Sequence, residues 1–139
     1  MRFVGLDVGE RRIGVASSDL MGLIANAVGN VVRADNDLEG DLQKTADKIR
    51  ELGGEAVVIG LPKNMNGTIG PRAESVMAFA EALKEKIDVP IHFWDERLST
   101  VEAHKTMIDA GMSRSKRKNK VDSVAAVLIL QGFLDFKGR

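Results

Sequence analysis

The chain has 139 residues, enough for one domain with one core and too few for two lobes that clasp a nucleotide. Hydrophobic residues make up 44% and charged residues 29%, a globular balance, while 20 Lys+Arg against 20 Asp+Glu leave no net charge to draw nucleic acid in bulk. The absence of cysteine excludes disulfides, thiolate metal sites and thiol nucleophiles. With no leader-like segment and no apolar run of about 18 residues, a soluble cytoplasmic protein is expected, with no membrane partner.

Phe3, Val4, Leu6 and Val8 make a nearly continuous apolar run, as in a strand covered on both faces. Gly9 to Arg12 reads as a turn and Ile13–Ser18 as the returning strand of a hairpin. A third strand is expected within Ile24–Arg33. Asp37 can cap a helix whose apolar positions Leu38, Leu42, Ala46, Ile49 and Leu52 recur at spacings of three and four, and Gly53-Gly54 stops it. Ala56–Ile59 is a short β-branched strand that runs into the loop Gly60–Gly67. Pro71 suits the start of a second helix, with a buried stripe of Ala73, Val76, Met77, Ala80, Leu83 and Ile87. Pro90–Trp94 reads as a strand, and Ser99 or Thr100 can cap a third helix that Gly111 ends. A basic run at 113–120 then separates that helix from a last one over Lys120–Phe136, whose segment Val124–Leu130 is apolar all round. The order βββ-α-β-α-β-α-α implies one α/β domain over residues 1–139, a mixed sheet with helices on both faces.

Three acidic positions stand out. Asp7 interrupts an apolar strand, where an unpaired buried carboxylate is expensive and is retained for a metal, a cluster of donors or catalysis. Asp122 shares a helical face with Ala126, Ile129 and Phe133, although a first-turn acid favoured by the helix dipole would look the same. Asp95 and Glu96 directly follow a strand. Neighbours on a strand point to opposite faces, so only one of them easily shares a site with Asp7. If Ile91 and Phe93 face the helices, Asp95 joins them and Glu96 takes the other face. The face used by Asp7 is open at this level, so both stay candidates.

Carboxylates from a strand, a strand end and a late helix can converge across a folded sheet. Hard Mg²⁺ or Mn²⁺ prefers such oxygen ligands, and a pair of these ions can drive in-line phosphodiester cleavage. Arg114, Lys116, Arg117, Lys118 and Lys120 would hold phosphates near the acids, unless the run is only a solvated loop. Lys63, in a glycine-bounded loop without a P-loop ending, and Arg97 complete the candidate nucleic-acid contacts. His92 and His104 have no partner at metal-ligand spacing. Trp94 and the five Phe residues are too sparse for a base-stacking surface and are assigned mainly to the core.

Asp7-Val8-Gly9 with Arg12-Ile13-Gly14-Val15-Ala16 resembles the opening of the YqgF family. The likeness continues through Gly60-Leu61-Pro62, Asn66-Gly67, Gly70-Pro71-Arg72-Ala73 and Trp94-Asp95-Glu96-Arg97-Leu98-Ser99-Thr100. It ends on the basic run, Asp122, Ala125-Ala126 and Ile129-Leu130-Gln131. The resemblance implies a ribonuclease H-like fold with a five-stranded mixed sheet. It also implies metal-binding carboxylates at Asp7, the pair Asp95-Glu96, and Asp122. The activity it implies is a metal-dependent nuclease that matures the 16S rRNA precursor. Resolution of four-way (Holliday) DNA junctions is the alternative within the same chemistry, and would favour a homodimer because two symmetric strands need two sites. A non-catalytic nucleic-acid or ribosome-associated module is the alternative from another class. An actin-like ATPase also opens on Asp-x-Gly before a hairpin, but it needs a second lobe.

Overall fold

The apolar opening run forms β1 (Phe3–Val8), which returns antiparallel as β2 (Arg12–Ser18). The turn between them closes on a hydrogen bond of 2.9 Å from the Gly9 amide to the Arg12 carbonyl. A Cβ on Gly9 would sit 2.8 Å from that carbonyl oxygen, so the turn needs glycine. β3 (Ala25–Val32) pairs antiparallel with β2, and the register slips between Val15 and Ala16, opposite Gly29 with φ +148°. After α1 (Leu38–Glu51) come β4 (Ala56–Leu61), α2 (Pro71–Leu83), β5 (Ile91–Asp95) and a 3₁₀ turn at Glu96–Leu98. The last element, α3, spans Arg114–Lys137. The computed structural model describes residues 1–98 and 114–138, and the side chains of 1–98 and 123–138.

The five strands make one mixed sheet in the order β3-β2-β1-β4-β5, with β1, β4 and β5 parallel. Strand alternation sorts the side chains into two layers. Val4, Leu6, Val8, Val57, Ile59 and Leu61 pack against Leu42, Ala46 and Ile49 of α1 and against Ala73, Val76, Phe79, Ala80 and Leu83 of α2. On the other face Phe3, Ala16, Val58 and Trp94 meet Ala126, Val127, Ile129, Leu130 and Leu134 of α3. The α3 layer fits closely because glycines line its track. A Cβ on Gly5 would lie 2.7 Å from the Leu130 Cβ and 3.1 Å from the Ala126 carbonyl. Gln131 ties the helix to the sheet edge, accepting from the Ala25 amide at 2.9 Å and donating to the Leu23 carbonyl at 3.0 Å.

The α/β class, the hairpin, the sheet and the helices on both faces agree with the sequence reading. Asp37 caps α1 as expected, its Oδ1 accepting from the Gly40 amide at 3.0 Å. Several details differ. Leu38, read as part of the α1 stripe, is 50% exposed, because it precedes the first full turn that touches the sheet. In α2 Phe79 is buried, while Met77, read as part of the buried stripe, is 42% exposed. Phe79 lies one turn beyond Val76 and carries the Arg33 guanidinium over its ring at 5.1 Å. Ile87 lies past the end of α2 but packs against the same core. Within the apolar segment Val124–Leu130, Ala125 is exposed and Val124 and Leu128 are only half-buried, since only one side of α3 meets the sheet. Phe93 and Phe136 are also exposed, unlike the other core aromatics. The basic run was expected in a loop, but α3 already begins at Arg114. The helix expected between Ser99 and Gly111, with His104, lies outside the described residues. Among the described residues no helix is long and apolar enough to cross a membrane.

Candidate metal and nucleic-acid site

Asp7 is the third residue of the Phe3, Gly5, Asp7 series, so it belongs to the α3 face of β1. It is half-buried near the carboxyl end of the strand. On β5 the parity is equally clear. Ile91 packs on the α1/α2 core and Trp94 on the α3 core, so the face of Ile91, Phe93 and Asp95 is opposite to that of Trp94 and Glu96.

Glu96 therefore turns towards Asp7. Its Oε1 occupies the space over Gly60, where a Cβ would come within 2.7 Å, and Gly60 lies under Ile129 of α3. A side chain at position 60 would press on Ile129 and displace the carboxylate, which explains glycine after the β-branched run Val57–Ile59. Burial pushes the Glu96 carboxyl above its ordinary value, the Asp7 charge pushes it further, the Arg72 charge offsets part of the rise, and Asp95 adds to it. Burial likewise raises Asp7, with Arg72 again acting in the opposite sense. The two carboxylates thus repel each other in a partly desolvated place, the condition in which acids gain most from a cation.

Asp95 has a different environment. Arg97 donates to it from its backbone amide at 3.0 Å, from Nε at 3.1 Å to each carboxylate oxygen, and from Nη2 at 2.6 Å. These bonds hold Asp95 below the usual carboxylate range; burial opposes them, and the Lys63 charge assists. Arg97 also reaches the β4–α2 loop, donating from Nη1 to the Met65 carbonyl at 3.2 Å. Within that loop Asn64 and Thr68 bond to each other through backbone at 2.9 Å and side chains at 3.0 Å, and Gly67 turns at φ +86° against the Arg97 guanidinium. Of the acidic pair, then, Glu96 meets Asp7, and Asp95 serves a clamp that joins the end of β5 to the loop. Arg97, read as a nucleic-acid contact, is engaged in that clamp.

Asp122 lies on the α3 backbone one turn before Ala126, whose carbonyl passes over Gly5 of β1. Its side chain is outside the described residues, as are those of Arg114, Lys116, Arg117, Lys118 and Lys120. Among the described residues no group of three or more His, Asp or Glu is gathered. His92 is not part of the site; its ring lies 5.3 Å from that of Phe133.

One residue without a role in the sequence reading belongs here. Arg72, at the start of α2, is the cation that acts on both Asp7 and Glu96. It lines a cleft of about 360 Å³ with Val8, Gly9, Glu10, Arg33, Pro71, Ser75 and Val76. Its signal in the sequence is the adjoining Pro71, which marks a helix start, combined with the strand that ends at Leu61.

The model of the RuvX family, described as Holliday junction resolvase, matches residues 1–136. A protein of Desulforamulus reducens named "Putative pre-16S rRNA nuclease" is 53% identical over 135 residues, covering 97% of each chain. A Clostridioides difficile protein of the same name is 49% identical over 136 residues, 98% of this chain and 95% of that one. Among solved structures, Thermus thermophilus RuvC in complex with a Holliday junction substrate superposes with a TM-score of 0.67 at 12% identity, over 99% of this chain and 96% of that one. The fowlpox virus Holliday junction resolvase does so at 0.59 and 11%, over 98% and 99%. The two structural likenesses establish the ribonuclease H-like fold. The family match and the close relatives, over nearly the whole length, establish more: this chain belongs to the RuvX (YqgF) family.

Proposed function

We propose that the protein is a divalent-metal-dependent nuclease that cleaves phosphodiester bonds of the 16S rRNA precursor. The observation that carries this reading is the meeting of Asp7 and Glu96 on the α3 face, half-buried, mutually repelling and both within reach of the Arg72 charge. The donor set fits Mg²⁺ or Mn²⁺: hard carboxylate oxygens, with no thiol in the chain. Asp7 and Glu96 would hold the metal, and Asp122 is the third proposed ligand. Bound there, divalent metal supplies the charge that activates water and steadies the leaving oxygen.

The chain's own residues do the rest. The Asp95–Arg97 clamp fixes the end of β5, and with it the backbone that carries Glu96. Lys63, Arg114, Lys116, Arg117, Lys118 and Lys120 are proposed to neutralise phosphates. The helical setting of the basic run supports this. Cations in the first turn, here Arg114, Lys116 and Arg117, face the positive end of the dipole at a cost of about 0.3–1 kcal/mol each, so helix stability does not account for them.

The names of the relatives favour precursor rRNA as substrate. The family description and the fold favour a second reading, cleavage of four-way DNA junctions by a homodimer. The test offers the purified protein precursor 16S rRNA and a four-way DNA junction, each with Mg²⁺, Mn²⁺ or EDTA. Metal-dependent cutting of the RNA is expected. Cutting confined to the junction would establish the second reading, and no cutting of either would overturn the assignment as a nuclease.

A further inference from the structure

A cleft at the carboxyl end of β1 is lined by the β1–β2 turn, by Arg33 just after β3 and by the first turns of α2. Its guanidiniums differ in what they do. Arg33 is committed, donating from Nε to Asp41 at 2.9 Å and from Nη1 to the Gly9 carbonyl at 2.8 Å, with its guanidinium carbon 5.1 Å from the Phe79 ring centroid. It forms a fixed wall. Arg72 is exposed and makes no hydrogen bond or ion pair with the described residues, although its charge is felt by both Asp7 and Glu96. Ser75 brings a hydroxyl to the same cleft from the next turn of α2. At its entrance α2 opens on Gly70 and Pro71 without a side-chain cap, so the first amides of the helix have no side-chain acceptor. One carboxylate, the exposed Glu10, shares the lining.

An exposed arginine whose charge reaches two carboxylates, and which bonds to none of the described residues, has two uses open to it. It could hold the carboxylates in place, in which case ion pairs like those of Asp95 with Arg97 would be expected. No such pair joins Arg72 to Asp7 or Glu96. The other use is an anion that arrives with the substrate. We propose that Arg72 binds a phosphate of the nucleic-acid backbone, seated in this cleft next to the one being cut. This rests on the nuclease reading and adds a substrate contact to it. The planar fork of arginine suits two phosphate oxygens at once, and the Ser75 hydroxyl can donate to a third.

The two uses predict opposite effects on metal binding. A phosphate-binding Arg72 repels a cation placed between Asp7 and Glu96, so Arg72→Ala should bind Mn²⁺ as well as the wild type or better. An arginine that props up the carboxylates would leave them misplaced when removed, and Mn²⁺ binding would weaken. Full-length wild type, Arg72→Ala, Arg72→Lys and Ser75→Ala are titrated onto a labelled four-way DNA junction and onto a precursor 16S rRNA fragment. Titrations are run in EDTA at several salt concentrations, and Mn²⁺ binding is measured separately. The expected result is a salt slope lower by about 0.7–0.9 in Arg72→Ala, restored by Arg72→Lys with incomplete affinity, and a smaller loss of affinity in Ser75→Ala. An unchanged slope in Arg72→Ala, or weaker Mn²⁺ binding, would overturn the proposal. Wild-type protein that binds neither nucleic acid would also overturn it. If wild type binds but never cleaves with metal, the nuclease reading fails, while the slope still decides Arg72.

Discussion

Asp7 interrupts an apolar strand and lies half-buried on the face that α3 covers, beside a second acid. Burial raises its pKa, so the folded chain holds that proton more tightly than the unfolded chain. This contribution to stability is present below the ordinary value of about 3.9 and is lost as pH rises through the raised one. At neutral pH the metal-free fold therefore bears a cost, and Asp7→Asn removes it. Asp7→Asn is expected to melt above the wild type at pH 7 in EDTA, with the gap closing below about pH 3.9, while metal-dependent cleavage is lost. Thermal melts across pH check the first part; a folded Asp7→Asn protein that cleaves at the wild-type rate would contradict the second. Asp122→Asn should lose cleavage too, and the double variant should fare little worse than either single one, because one site needs both. A double variant with fully additive losses would place Asp122 elsewhere. At this scale the sequence showed that Asp95 and Glu96 face opposite ways. It could not show which face Asp7 uses, since that depends on which helices cover which side of the sheet. Arg72 was less legible still. One arginine at a helix start looks like any solvated charge until β1 is placed beside it.

Strands and helices were legible where their residues alternate or recur strongly: the β1–β2 hairpin, the Asp37-capped α1 and the β-branched β4. The errors fell where a neighbour decides. Phe79 is buried because Arg33 and the α1/α2 core lie on that flank of α2, and α3 begins six residues before Lys120 despite its row of cations. Contact between α3 and the sheet depends on Gly5, whose missing Cβ lets Leu130 and the Ala126 carbonyl approach. Gly5→Ala should cost about 1–3 kcal/mol in chemical denaturation, because the close atoms are backbone and Cβ and cannot swing away. A neutral Gly5→Ala would mean that the helix has slack over β1. The helical basic run allows a clean substitution, since alanine is the strongest helix former. Replacing Lys116, Arg117 and Lys118 by alanine should leave thermal stability nearly unchanged. The salt dependence of nucleic-acid binding should flatten by up to about 0.7–0.9 log units for each phosphate that is no longer neutralised. An unchanged slope would make the run a solvated face of α3.

For the whole molecule, zero net charge means that affinity for nucleic acid has to come from local placement. The sheet brings Asp7 at the end of β1 next to Glu96 after β5, within reach of the Arg72 charge at the start of α2, and the basic run of α3 is the further contact proposed above. Parallel pairing of β1, β4 and β5 puts these chain segments at one end of the sheet, a distance in sequence that no local pattern reveals. The central claim is that Glu96, rather than Asp95, joins Asp7 at the metal. The most direct measurement is the Mn²⁺-dependent cleavage rate of Glu96→Gln beside Asp95→Asn on the substrate the wild type cuts. Glu96→Gln should lose more than about 100-fold. Asp95→Asn, acting only through its clamp on Arg97, should lose about 10-fold. A larger loss in Asp95→Asn than in Glu96→Gln would contradict the claim.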